Sequence, residues 1–330
     1  MKGIRKILPR LYRPEVYQGQ KNPAKYFEGW YFKLVDAAGE QIWSIIPGIS
    51  YSADTHSFVQ VIHANSGKTW YFRFPVPDFK SSRSIFQTAI GPNVFSSEGL
   101  NIDLSLPDLK LKGQLAFKDT HPFPGTLASP GIMGWYSYAP KMECYHGVVS
   151  MQHKLSGSLE INGEAISFDG GRGYIEKDWG RSMPSDWIWI QSNHFNRDPE
   201  ASFMLSLARI PWMGGFFPGF LSFFMTGGKL YRFATYKRSS VSLIEVKEEE
   251  VHIELSNKSH TLAVRVYRNI GGILKAPRHG EMDRDIQESI VSRMNIELRD
   301  KEGKVLFTGT GKHAGLEIVG DVAQYFKNNH

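Results

Sequence analysis

The chain has 330 residues, a net charge of +6, 41% hydrophobic and 22% charged residues, the composition of a globular protein long enough for a large core and most naturally for two domains. Its basic residues are scattered rather than clustered, which argues against a nucleic-acid-binding protein, and no run approaches the roughly 18 apolar residues of a membrane-spanning helix. A single cysteine, Cys144, excludes an internal disulfide and a cysteine-rich metal site and suits a reducing, cytoplasmic compartment.

The 21 Phe, 14 Tyr, 8 Trp and 32 Gly predict many short strands joined by turns rather than helical bundles. The N-terminus is basic but no apolar segment follows it, so no signal peptide is expected. Residues 1–25 read as a loosely structured lead-in ending at Pro23. Lys25–Asp36 then reads as an aromatic strand with Tyr26, Glu28, Trp30 and Phe32 on one face. Glu28 is an acid in an aromatic row, which suits either a buried structural salt bridge or a working carboxylate. Further strands are expected at Gln41–Ser50, Ser57–Ala64, Thr69–Phe74, Asn93–Ser97, Leu100–Leu106 and Leu109–Phe117, with polar turns between them. Asp119–Gly134 reads as a long ordered loop. Asn162-Gly163, between Lys154–Ile161 and Glu164–Phe168, is a strong hairpin signal.

The stretch 173–195, G-Y-I-E-K-D-W-G-R-S-M-P-S-D-W-I-W-I-Q-S-N-H-F, is the chemical centre of the chain. An extended backbone places Tyr174, Glu176 and Asp178 on one face and Ile175, Lys177 and Trp179 on the other. Two acids and a phenol beside indoles suit proton transfer in an apolar pocket; a strand-end charge pair neutralised by Lys177 and Arg181 accounts for the same residues. Cys144 and His146 are two apart in sequence, which is poor spacing for a thiol nucleophile.

Downstream, strands are expected at Ser202–Ile210, Leu230–Lys237, Val241–Val246, Val251–Leu255, Thr261–Tyr267, Ser292–Leu298 and Val305–Thr310. The apolar segment Pro211–Thr226 contains Pro218 and several glycines. It reads either as a pocket-lining loop or hairpin or as a tip for peripheral membrane contact through 211–226. Asn269–Met282 reads as loop, with a short helix in Met282–Ile290. Phosphate-binding, dinucleotide-binding, zinc-protease and serine-hydrolase signatures are absent from the sequence.

The segments Y-F-E-G-W-Y-F (26–32), G-I-M-G-W-Y-S-Y-A-P-K-M-E-C-Y-H-G-V-V-S-M (131–151), Y-I-E-K-D-W-G (174–180), W-I-W-I-Q-S-N-H-F (187–195) and L-K-A-P-R-H-G (274–280) resemble the tocopherol cyclase family, in order and across nearly the whole chain. That family is related to carotenoid 1,2-hydratases and to double lipocalin-like proteins. The resemblance implies an all-β protein of two tandem lipocalin-like antiparallel β-barrel domains, 1–183 and 184–330, with the central motif near their junction. It implies acid-catalysed cyclisation of a prenylated benzoquinol to a chromanol, without redox cofactor or metal. An acid protonates the alkene, and the phenol oxygen captures the tertiary cation. Such chemistry asks for a carboxylic acid kept protonated, aromatic faces for the cation and exclusion of water.

The resemblance then makes Asp178 the preferred proton donor, with Glu176 and Glu28 as further acids. Trp30, Trp135, Trp179, Trp187 and Trp189 become candidate pocket walls, and Tyr174, Gln191, Asn193 and His146 candidates to orient substrate or tune the acid. Plant members carry a transit peptide; no such leader is read here, which suggests a bacterial protein. The runner-up reading is a non-catalytic binder of an isoprenoid or other hydrophobic molecule. A third is a glycan-active enzyme, since paired acids among tryptophans also suit sugars.

Overall fold

A computed structural model of the chain describes residues 10–19, 24–139, 142–212 and 214–326. Pro23, Met213 and the Pro140-Lys141 pair of the stretch 131–151 lie outside these. The described residues divide into two compact units, 1–183 with 274–285 and 184–273 with 286–330. Each is built on one large antiparallel sheet.

The first unit contains β1 (Tyr26–Val35), β2 (Ile42–Tyr51), β3 (His56–His63), β4 (Lys68–Phe74), β5 (Phe79–Ser81), β6 (Gln87–Ile90), β7 (Asn93–Ser96), β8 (Gly99–Leu106), β9 (Leu109–Lys118), β10 (Cys144–Ile161), β11 (Glu164–Ser167) and β12 (Arg172–Gly180). The second contains β13 (Trp187–Ser192), β14 (Ser202–Trp212), β15 (Gly215–Thr226), β16 (Lys229–Ala234), β17 (Ser240–Val246), β18 (Glu250–Ser256), β19 (His260–Tyr267), most of β21 (Glu281–Asp300), β22 (Val305–Val319) and the one-turn helix α1 (Ala323–Phe326). Between β19 and β21 lies β20 (Gly272–Arg278).

The two sheets share a wiring. The first runs β4-β3-β2-β1-β12-β10-β9-β8-β7-β6-β5, and the second β16-β15-β14-β13-β22-β21-β19-β18-β17. In each, a four-strand meander leads off and its first strand pairs with the unit's last major strand. Inward side chains from almost every strand of the first sheet meet in one cluster that includes Trp30, Phe32, Phe95, Phe117 and Ile175. The sheet therefore curls around its own core. Among the described residues no ladder joins edge strands β4 and β5, so hydrogen bonding does not close the expected barrel there.

Local chemistry explains the turns. Asn162 and Gly163 have φ of 54° and 89°, the left-handed pair that joins β10 to β11 in a two-residue hairpin. Three expectations change, and one of the readings of Pro211–Thr226 is met. The lead-in is packed down in its described part: Val16 and Tyr17 are buried, and residues 14–19 bond to Lys177 and Glu28. Residues 269–290 carry no helix and little loop, because β20 pairs with β21 and the whole of Met282–Ile290 is strand; cross-strand pairing overrides local helix propensity there. The turn of this hairpin docks within the first unit, where Gln60 and Lys275 exchange two bonds of 2.9 and 2.8 Å. Pro211–Thr226 is a hairpin arm, and Pro218 is tolerated because it faces Arg209 of β14 while the β16 ladder begins only at Leu221. Its tip leaves Trp212 and Phe216 exposed. Among the described residues no helix is long and apolar enough to cross a membrane.

Candidate active site

Register builds the site. Strand β12 lies between β1 and β10, and directly opposed residues of an antiparallel pair share a face. On β10, His146 stands opposite Asp178 and Val148 opposite Glu176; on β1, Tyr31 stands opposite Glu176 and Lys33 opposite Tyr174. Tyr174, Glu176 and Asp178 thus share one face of β12, which turns away from the core that holds Ile175.

On this outer face the His146 ring links the two acids. Its Nδ1 lies 2.9 Å from Asp178 Oδ1 and its Nε2 lies 3.7 Å from Glu176 Oε2. The Tyr174 hydroxyl donates to Glu176 Oε2 at 2.7 Å. Burial first, and then the charge and hydrogen bond of Glu176, push the Tyr174 phenol far above its ordinary pKa, so it remains a donor at any working pH. The Cys144 thiol sits 3.8 Å from Asp178 Oδ1; burial, then Asp178, push its pKa well up. A thiol so held is inert as a nucleophile. The side chain of Asp178 is 24% exposed and that of Glu176 only 6%, so Asp178 is the more accessible of the two acids.

One ligand atom from each of His146, Glu176 and Asp178 falls within 4.8 Å of the others. A histidine with two carboxylates is also a donor set suited to a divalent cation.

Glu28 is not part of this cluster. It stands opposite Trp179 in the β1–β12 ladder, on the core face. Its Oε1 lies 2.5 Å from the Lys177 ammonium, with both side chains fully buried. Glu28 also accepts from the backbone of Gln18 at 2.8 Å and Gly19 at 2.9 Å and from the Tyr26 hydroxyl at 2.5 Å. Lys177 donates to the carbonyls of Pro14 at 2.8 Å and Val16 at 2.6 Å, and its Nζ lies 4.7 Å from the Trp30 ring and 4.9 Å from that of Trp179. The structural alternative for Glu28 holds: it anchors the N-terminal segment. Trp30 and Trp179 already face a cation from the protein itself.

The remaining candidates lie elsewhere. Trp135 is 52% exposed and packs on Tyr136 with ring centroids 4.3 Å apart. In the second unit, Trp187, Trp189 and Gln191 share the face of β13 opposite to its core residues Ile188 and Ile190, and all three are buried, as is Asn193 just beyond the strand. Trp187 Nε1 donates to Glu317 Oε2 at 2.6 Å. Tyr31 and Lys33 were missed by sequence reasoning. They lie on the face of β1 opposite the aromatic row that drew attention, and only the β1–β12 register reveals their place.

Comparison with known proteins gives this arrangement a family. A tocopherol cyclase-like family profile matches residues 119–320. The chloroplastic tocopherol cyclase of Zea mays is 35% identical over 74 residues, 22% of this chain, and a probable tocopherol cyclase of Oryza sativa subsp. japonica is 30% identical over 71 residues. These alignments span only 15% of the length of either plant protein. Two solved structures share the fold at low identity. A protein assigned as AttH from Nitrosomonas europaea has a TM-score of 0.53 at 13% identity, over 88% of this chain and 92% of that one. CghA bound to Sch210972 has a TM-score of 0.55 at 10% identity, over 90% and 89%.

Proposed function

The chain belongs to the tocopherol cyclase-like family, and from that premise we propose that it catalyses proton-initiated addition across an isoprenoid double bond, with Asp178 as the acid. The observation that carries this reading is the His146–Glu176–Asp178 cluster, bonded by Tyr174 and set on the outer face of β12 within the matched region. Each half of the chain is read as a lipocalin-like cup.

The substrate class is a prenylated benzoquinol. Asp178 gives its proton to the less substituted alkene carbon, and positive charge develops on the tertiary carbon. The neighbouring phenol oxygen then forms the new C–O bond and loses its proton to the Asp178 carboxylate. Atoms and electrons balance within the substrate, so the net change is an isomerisation. His146, held between both acids, orients the Asp178 carboxyl, and Glu176 with Tyr174 fixes the orientation of that ring. Capture by water instead of the phenol would make the protein a hydratase.

A carrier holding its ligand inside the first sheet is less well supported. That interior is filled: Phe32 packs on Phe95, Phe117 and Phe86 with centroids 5.6, 6.0 and 6.1 Å apart, and Trp30 stacks on Phe86 at 5.9 Å. The test is incubation of the purified chain with a phytylated benzoquinol, following the chromanol by chromatography and mass. Product that vanishes in Asp178→Asn supports the enzyme; saturable binding of the quinol without product makes the protein a carrier.

A further inference from the structure

A cavity of about 460 Å³ opens in the first unit, on the side of β12 that carries Trp179. Its size is in the range of small-molecule sites. It is bounded by the N-terminal segment, the start of β1, the loop after Gly131 and the ends of β10 and β12. Among the described residues, three cationic side chains line it, Arg10, Lys25 and Arg181, and no carboxylate does. The nearby Glu28 is committed to Lys177 and to backbone amides.

One wall is flat and aromatic. Tyr145 and Trp179, cross-strand partners on β10 and β12, stack with centroids 5.6 Å apart and an interplanar angle of 11°, and Tyr26 borders the same space. Arg10 donates to the Gln18 carbonyl at 3.2 Å, which holds it at the rim. Burial, and then the charge of Arg83, lower the pKa of its guanidinium, so the site would gain from a bound negative charge.

We propose that this cavity is a binding site for an aromatic anion, a ring bearing a carboxylate or phosphate, with the ring against Tyr145 and Trp179 and the anionic group among Arg10, Lys25 and Arg181. A guanidinium–anion hydrogen bond is short and strong, and an arginine presents it in a planar fork. His146 of the acid cluster also lines the cavity, so the two sites adjoin; a cation-rich lining offers nothing specific to a neutral prenylquinol, and the binding proposed here does not depend on the reaction assigned to the cluster.

The experiment is calorimetric titration of the full chain with 1-naphthyl phosphate, 1-naphthol and inorganic phosphate, each at low and high salt. Saturable one-to-one binding of naphthyl phosphate that weakens with salt is expected, with both fragments at least about tenfold weaker, the worth of one charge-assisted bond or more. Arg181→Gln and Lys25→Gln together should weaken naphthyl phosphate by about tenfold or more while leaving the melting temperature unchanged, since both side chains are exposed. Equal affinity for naphthol and naphthyl phosphate, unchanged affinity in the double variant, or no binding at all would overturn the proposal. Binding to phosphatidylglycerol vesicles without binding of naphthyl phosphate would also overturn it, by making these cations a membrane-facing patch.

Discussion

The two faces of β12 carry ionisable groups of the same kinds and hold them in opposite ways. On the core face, Lys177 and Glu28 form a fully buried pair in which every charge is matched by its partner, by backbone or by an indole face. Two strands of chain are tied together there, and the groups have no latitude. On the outer face, His146 stands between two acids, at 2.9 Å from one and 3.7 Å from the other. A proton has more than one resting place in that set. The contrast teaches that burial of an acid near aromatic rings is not by itself a sign of catalysis; what separates the faces is whether the acid is tied to a buried ammonium and backbone amides or set beside an imidazole that a second carboxylate also approaches.

If that contrast is right, disturbing the core face changes stability and disturbing the outer face changes turnover. The largest stability effect comes from His153, which stands opposite Gly173 and packs on Phe117 with ring centroids 4.3 Å apart. Burial lowers its pKa from 6.5 to about 3. Between those values the unfolded chain holds the extra proton, so stability of the first unit falls as pH drops from 6.5 towards 3, by roughly 5 kcal/mol in all. Urea midpoints measured across this window should show a shallower fall in His153→Leu; parallel curves for variant and parent would refute the assignment.

Next comes Lys177→Met, which leaves Glu28 as an unpaired buried charge and is expected to destabilise the first unit by about 3–5 kcal/mol. A loss under 1 kcal/mol in chemical denaturation would show that the pair is not the anchor described. On the opposite face, Asp178→Asn keeps the shape and a hydrogen bond to His146 but removes the transferable proton. Turnover of a phytylated benzoquinol should fall on the order of a hundred- to a thousandfold, about 3–4 kcal/mol in the barrier, with little change in melting temperature. Equal losses in stability and turnover would erase the distinction between the faces.

Much of the local order was legible in the sequence. Alternation along 174–179 correctly put Tyr174, Glu176 and Asp178 together, and Asn162-Gly163 marked its hairpin, because both depend on neighbouring residues alone. The separation of Glu28 from Asp178 was not legible. It follows from Glu28 facing Trp179 across a ladder whose partners lie about 150 positions apart in sequence, and register of that kind is set by the global fold. The same holds for the place of His146, named beforehand only through the family resemblance: it is the β10 register that sets it opposite Asp178. Residues 282–290 misled because Met, Asp, Arg, Gln and Glu are polar or helix-tolerant locally, whereas their strand conformation comes from partners on β20 and β22.

The smallest expected effect tests how tightly the core face is packed where it meets that ladder. A Cβ at Gly173 would lie 2.2 Å from His153 Nε2 and 2.7 Å from its Cε1, far inside contact distance. The ring has little room to retreat, since its Nδ1 is 3.1 Å from Ser150 Oγ and its flank rests on Phe117. Gly173→Ala should therefore cost about 1–3 kcal/mol through overpacking. The companion variant Gly173→Ala with His153→Ala removes the obstructing ring, so the two changes should be less destabilising together than the sum of each alone. Additive losses in that cycle would mean that the glycine serves the backbone of β12 rather than making room for the ring. Turnover is the second readout: a strain confined to the core face should leave it within a few fold of the parent, because Tyr174, Glu176 and Asp178 project from the other side of the same strand.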